Sequence, residues 1–399
     1  MLDPIVAFFT SIFQWIGRGV GWLVGILLWP FLKIGSWYTR RGWIMRGALG
    51  AAMLSLAVFY GYFIWQTQIW TNFNPDYPTK RTMAAGKSLA GDPLAGGAVV
   101  AAKPAPAESG TAAASVGGST VTAQAEPAPT AACTRSAIVD ISADLIDFNV
   151  NQNAWISSML ASKLGLFGFS WKNTPFLDNK AAFQLGINQV MRRTTAELVD
   201  TLGRVRGTSQ IDQNLQDART AMSWDEDAWY VGLRGPTRPT PSVYRDAVGK
   251  LQGFNASLEK CQATFDARAD NLLQFIERIA ADIGSTSDIL RARMDASNAG
   301  WFDARADDRF WFAYGQLYAY YGILTATRSD FSAIVTERNM TAIWQRMLEQ
   351  LRTALNMQPA IISNGNESSA LFPSHLANMG FYLLRVRSNL VEIRSVLDR

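Results

Sequence analysis

The sequence predicts an all-α protein with an N-terminal membrane anchor, a disordered linker, and an elongated helical bundle with long coiled-coil-like helices. Three observations predict it. Gly47–Pro75 contains no Asp, Glu, Lys, Arg or His, and about 20 apolar residues in a helix span the ~30 Å hydrocarbon core of a bilayer. Residues 82–132 consist largely of Ala, Gly, Pro, Ser and Thr, with no aromatic residue. From Arg135 onward apolar residues recur at steps of three and four, and strand-type alternation is scarce. The expected organisation is a membrane-associated segment (1–45), a transmembrane helix (46–75), an Ala/Pro/Gly-rich linker (76–133) and a soluble helical domain (134–399).

Residues 4–32 are apolar and dense in Phe and Trp, but Arg18 and Gly17, Gly19, Gly21 and Gly25 interrupt them. Three readings stay open: an interfacial helix, a second span, or a re-entrant hairpin. An arginine at the bilayer centre costs several kcal/mol, roughly 3 or more, which favours the interfacial or re-entrant readings. The segment is no cleavable signal peptide, because it lacks a basic n-region and a small-residue cleavage pattern. Next comes the span itself, with Tyr62, Trp65 and Trp70 towards its far end, where amphipathic rings favour the headgroup layer. Lys33, Arg40, Arg41 and Arg46 precede it, against Lys80, Arg81 and Lys87 beyond it, the latter set partly balanced by Asp76. Positive flanks are retained in the cytoplasm, so the N-terminus is expected inside and the C-terminal domain in the periplasm.

The net charge of +4 is confined to residues 1–133, which carry nine Lys/Arg and five Asp/Glu, whereas residues 134–399 carry 28 of each. The basic residues therefore serve topology and anionic lipid, and no nucleic-acid face is expected. The linker composition cannot bury enough apolar surface to offset chain ordering, so it is expected to act as a disordered tether reaching ~40 Å.

In the helical domain, Ile138, Ile141, Leu145 and Phe148 begin a seam that stops at Gly165–Phe169 and Pro175. Phe183 to Val205 mark a second helix, closed by Gly207, and Ile211, Leu215 and Ala218 a third. After the loop 232–241, Thr240-Pro241 reads as a helix start. One long seam then runs from Leu251 through Cys261 and Phe265 to Leu290. The helices Phe310–Leu324 and Met340–Met357 follow. Leu376, Met379, Leu383, Val386, Leu390, Ile393 and Leu397 step 3-4 without a miss, so a long straight helix packs lengthwise on a partner, either within the chain or in a second copy.

Catalytic patterns are missing. His375 is the only histidine and opens the last helix, where a cap or surface role accounts for it. There is no G-x-S-x-G elbow and no phosphate-binding G-x-x-x-x-G-K-[ST] loop, so no cofactor or metal site is expected. Asp225, Glu226 and Asp227 form one acidic cluster, readable as a general-acid or cation site, or as an acidic first helical turn. Asp303, Asp307 and Asp308, interleaved with Arg305 and Arg309, read as a solvated salt-bridge face. Phe310, Trp311, Phe312, Tyr320 and Tyr321 occupy adjacent positions that cannot all face one core, which makes them a candidate interaction surface, while core packing of most of them is the favoured reading. Cys133, at the linker edge, and Cys261, on an apolar seam, are a candidate disulfide pair, since the periplasm is oxidising.

The layout and the stretch LFPSHLANMGFYLLRVRSNLVEIR (371–394) resemble family 2333 of the domains of unknown function, bacterial inner-membrane proteins. The resemblance implies membrane location and helical content over roughly 40–80 and 134–399, and no catalytic residues. The expected function is a non-enzymatic envelope protein, anchored in the inner membrane, that presents a periplasmic interaction or scaffolding domain to a protein partner or to itself. The alternative is a periplasmic hydrolase or ligand-binding domain using carboxylates such as Asp225 and Glu226.

Overall fold

The computed structural model describes residues 15, 17–19, 21–22, 25–26, 29–30, 32–80, 133–166, 168–174, 176–204, 211–232, 235–296, 303, 305–365 and 373–399. The readings of residues 4–32 and of the linker 82–132 fall largely or wholly outside these. The chain forms two compact units, Met1–Tyr62 and Phe63–Arg399.

In the first unit residues 32–39 are helical, and α1 begins at Trp43. The Tyr38 hydroxyl donates to Arg46 O (2.9 Å), which ties the two helices together across the turn. α1 (Trp43–Gln68) is 26 residues long and is, among the described residues, the one helix long and apolar enough to cross a membrane. Met53, Leu54 and Val58 are about two-thirds exposed. No packed core explains so many bare apolar side chains, whereas a lipid environment does.

The second unit contains the last turns of α1 and every other named helix: α2 (Ala137–Asp147), α3 (Leu160–Leu164), α4 (Asn179–Glu197), α5 (Gln213–Met222), α6 (Thr240–Glu259), α7 (Ala269–Ala296), α8 (Ala306–Asp330), α9 (Ser332–Glu337), α10 (Thr341–Leu355) and α11 (His375–Leu397). A two-residue hairpin, Val231–Gly232 against Gly235–Pro236, is its only named sheet. The middle of the domain is α8. Residues 313–324 are buried without a gap, because α4, α2, α7, α10 and α11 surround the helix. A helix buried on all sides needs no polar face, so its adjacent aromatics are mostly core and not an interaction surface. Phe310, Tyr320 and Tyr321 are core residues, and Trp311 and Phe312 are half-buried.

The 3-4 seam of α11 is buried along its whole length and packs antiparallel on α7, with Gly284 against the Arg387 side chain and Glu277 beside Arg394 (3.3 Å). The lengthwise partner is therefore inside the chain, and the seam is not available for self-association. The long seam expected from Leu251 to Leu290 is two helices. α6 ends in a Schellman-type closure, in which Cys261 N donates to Leu258 O and Gln262 N to Ser257 O. Cys261 takes the left-handed position (φ 58°) and is exposed rather than on an apolar seam.

Cys261 is disulfide-bonded to Cys133, with Cα atoms 5.3 Å apart. Beside this bond a polar network fixes where the chain re-enters the domain. The Asp330 carboxylate accepts from the Ser136 hydroxyl (2.7 Å), Ala137 N (2.8 Å) and Ile138 N (3.0 Å), and Asn255 bonds both backbone atoms of Ser136. Removing a bridge over a long loop typically costs about 2–5 kcal/mol. Reduction, or the double change Cys133→Ser with Cys261→Ser, is expected to lower the melting temperature by several degrees in differential scanning fluorimetry. An unchanged melting temperature would show that the network alone holds this end.

The junction of α1 with the domain differs most from the expected organisation. Phe63 and Thr67 on α1 are buried, and Trp70, Phe73 and Tyr77 beyond it lie along α8 and α4. The Trp70 ring is 4.8 Å from Phe183 and 5.2 Å from Trp311, Phe73 stacks on Tyr318, and the Tyr77 hydroxyl donates to Tyr318 O (2.9 Å). Each such aromatic contributes roughly 1.5–3 kcal/mol by burial. The α1 carbonyls that lack helical partners are met by Lys180, 2% exposed, whose Nζ donates to Gln66 O (3.0 Å) and Ile69 O (2.5 Å). The boundary expected at 75/76 thus lies inside a packed unit. Tyr77 and Ser136 belong to the same unit, Phe63–Arg399, and the expected tether between them lies outside the described residues.

Candidate functional site

α4 and α8 run parallel, so their N-termini meet at one end of the domain. They approach closely because Gly186 and Gly315 face each other's backbones: a Cβ at Gly186 would lie 2.2 Å from Phe312 O, and one at Gly315 2.1 Å from Phe183 O. Asp178 caps the start of α4 in sequence, and Asp307 and Asp308 form the first turn of α8. Three carboxyls therefore converge where the helices begin.

Asp178 and Asp308 line a cavity of about 810 Å³. One wall is the first turns of α4 and α8, with Asp178, Ala181, Ala182, Arg305, Asp308 and Phe312. The other wall is Trp224 to Asp227, and Phe63 and Trp171 (ring centroids 5.2 Å apart) form a further side beside the end of α1. Lys172, Arg192 and Arg309 also line it, so both signs of charge are present.

Asp178 and Asp307 are 6% and 4% exposed. Desolvation raises all three carboxyls above the ordinary aspartate range. The Asp308 and Asp307 charges add to it at Asp178, and the Asp308 charge adds to it at Asp307, which reaches about 7. Helix N-termini favour carboxylates by only ~0.3–1 kcal/mol, too little to offset burying several together. The proximity of Asp178 and Asp308 couples their titration, and burial raises both. Asp178 Oδ2 accepts from Thr174 N (3.3 Å), while Asp178 Oδ1 and Asp307 Oδ1 are buried without a hydrogen-bonding donor. With its amide turned to suit both neighbours, Asn179 donates to Asp307 Oδ2 (3.3 Å) and accepts from Trp311 Nε1 (3.2 Å).

Protons are held in the folded state that the unfolded chain releases above its carboxylate pKa near 3.8. The stability from these sites is therefore complete below about pH 4 and is lost as pH rises towards the folded value of about 7. Asp178→Asn is expected to flatten this decline, so that the variant's melting temperature falls less than the parent's between pH 5 and 8. Equal slopes would remove Asp178 from the account.

The acidic cluster lines the cavity, but as a loop and not as a first helical turn. Glu226 Oε1 accepts from Arg192 Nη1 (2.7 Å) and Asn188 Nδ2 (2.9 Å), and Asp227 lies 3.6 Å from Lys172 Nζ and 3.9 Å from Lys163 Nζ. Asp225 Oδ1 accepts from Asp227 N (3.0 Å). Ion pairing thus occupies two of the three acids. Asp303 and Asp307 are buried, not on a solvated face; Asp303 pairs with Arg293 and Asn364. His375 Nδ1 accepts from Ser363 N (3.0 Å), a loop-fastening role, and burial lowers its pKa. Among the described residues no group of three His, Cys, Asp or Glu is placed to hold a metal ion.

Asp178 and Lys180 were overlooked in the sequence because Leu177-Asp178-Asn179-Lys180 reads as an ordinary helix start. Only their burial beside α1 and α8 sets them apart.

A helical domain built onto the end of one long apolar helix, with an acid-rich cleft beside the junction, defines the class. The family model described as an uncharacterized protein conserved in bacteria (DUF2333) matches residues 170–301 and 292–399. The chain belongs to that family. The match takes in α4 to α11 and most of the cleft. No curated protein and no solved structure matches the chain.

Proposed function

We propose that the chain is a non-enzymatic inner-membrane protein whose helical domain serves as an interaction or scaffolding module in the periplasm. The observation that carries this reading is the junction: Phe63, Thr67, Trp70, Phe73 and Tyr77 are packed into the domain and Lys180 holds the end of α1. An anchor joined in this way holds the domain close to the membrane, as a scaffold requires. The basic residues before α1 and the Cys133–Cys261 bond support a periplasmic domain.

Paired reporters fused after Arg399, one active only in the periplasm and one fluorescent only in the cytoplasm, test the orientation. Periplasmic activity is expected, and cytoplasmic fluorescence would overturn it. A photo-crosslinking residue in place of Trp224, which is 37% exposed at the cleft, should give discrete protein adducts in intact cells. Absence of any adduct there and at neighbouring cleft positions would count against a protein-binding cleft. A second reading, a ligand-binding or hydrolytic cleft, is favoured by Asp178 and Asp308, which line the cavity together and are raised by burial. It requires that Asp308→Asn abolish turnover or binding of an envelope-derived substrate in a folded protein.

A further inference from the structure

Leu164, Leu166, Phe169 and Phe176 are 56%, 38%, 78% and 47% exposed, four large apolar side chains within thirteen residues of a domain whose other apolar residues are mostly buried. The turn that carries the middle two is tightly built. Leu166 and Phe169 exchange both backbone hydrogen bonds (2.9 and 3.0 Å). Gly165 and Gly168 take positive φ (65° and 90°), and a Cβ at Gly165 would lie 2.3 Å from Phe169 O. The bare side chains are thus presented by a defined backbone. Exposed apolar groups concentrated in this way mark an interaction surface.

The position of the turn identifies what it meets. Trp171, two residues after Phe169, packs on Phe63 of α1, and the Gln68 side chain donates to Phe176 O (2.9 Å). Phe63 belongs to the uncharged stretch Gly47–Pro75, and its α1 neighbours Ile64 and Trp65 are 41% and 63% exposed. The apolar surface at the end of α1 therefore continues onto the turn. Lys163 and Lys172, 38% and 76% exposed at the side chain, flank the turn. Both also face Asp227, and both can reach lipid phosphates on their flexible stems.

We propose that Leu164, Leu166, Phe169 and Phe176 insert into the headgroup–acyl boundary of the bilayer, a second membrane contact beside the end of α1. This rests on α1 crossing the membrane. The test uses the full chain in vesicles of phosphatidylethanolamine and phosphatidylglycerol, with its disulfide intact. An environment-sensitive fluorophore is placed at Phe169→Cys, Phe176→Cys, Leu54→Cys in the span, or Val391→Cys on the outer face of α11. The labels at 169 and 176 should emit at shorter wavelength than the label at 391. They should be quenched several-fold more by a lipid nitroxide near the headgroup than by one deep in the chains, and resist aqueous iodide. Iodide quenching of the 169 and 176 labels equal to that at 391, with the 54 label quenched from within the bilayer, would overturn the insertion alone. Shielding from both lipid and iodide quenchers would assign the patch to a protein and also overturn it. A 54 label that escapes lipid quenching would overturn the span itself, and the insertion with it.

Discussion

Gly315→Val is expected to abolish the native fold, and Gly315→Ala to cost more than about 3 kcal/mol. A Cβ at this position meets the Phe183 carbonyl oxygen at 2.1 Å and its carbon at 2.9 Å, both backbone atoms of α4. Side chains relieve overpacking by changing rotamer, which holds its usual cost to about 1–3 kcal/mol. Backbone can yield only if the two helices separate, and α4 against α8 is the most extensive helix pairing of the domain. Separation would also uncover Phe183, Tyr314 and Tyr318. With a total stability of ~5–15 kcal/mol, few proteins tolerate such a loss. Gly249→Ala on the exposed side of α6, where a Cβ meets nothing within 4 Å, should instead stabilise by ~0.5–1 kcal/mol. Chemical denaturation of the detergent-solubilised chain, followed by near-ultraviolet circular dichroism, checks both. A native-like Gly315→Val spectrum would refute the close crossing.

Asp282→Ala should be the most damaging polar substitution, at about 3–5 kcal/mol. Its side chain is fully buried on α7 and binds three neighbouring side chains closely: Arg193 Nε (2.6 Å), Gln189 Nε2 (3.0 Å) and the Tyr320 hydroxyl (2.7 Å), with Gln316 Nε2 at 3.4 Å. Arg193 is half exposed and can turn to water, but Tyr320 and Gln316 cannot. Each unpaired buried group costs ~1–3 kcal/mol. Burial, with the Asp282 charge beside it, also pushes the Tyr320 hydroxyl well above its ordinary pKa, so it stays a donor at every physiological pH. Asp282→Leu combined with Tyr320→Phe removes both sides of the bond and should unfold at higher denaturant than Asp282→Ala alone. If the double variant is the weaker, the network is not what stabilises this crossing.

These two sites show how unevenly the sequence speaks. The 3-4 spacing of Leu376 to Leu397 is enough to place every buried apolar residue of α11, because a helix with one apolar stripe has one way to face a core. The uncharged run from Gly47 likewise identifies α1 without help, since few environments other than lipid suit it. Spacing does not say which helix lies in the middle. The aromatic stretch 310–324 shows no stripe because α8 is covered on every side, and the same lack of stripe leaves core packing and a partly exposed surface both open when one helix is considered alone. Nor does it say that Gly186 and Gly315, 129 positions apart, meet.

Helical content, the long apolar helix and the candidate cysteine pair follow from composition and local periodicity, which are properties of neighbouring residues. The buried carboxyls of Asp178, Asp307 and Asp308, the Lys180 cap on α1 and the packing of Trp70, Phe73 and Tyr77 into the domain depend on which distant elements touch. An aspartate at a helix start has the same sequence signature in water as in a closed cleft. Only the packing of a second helix against it decides whether it stays charged.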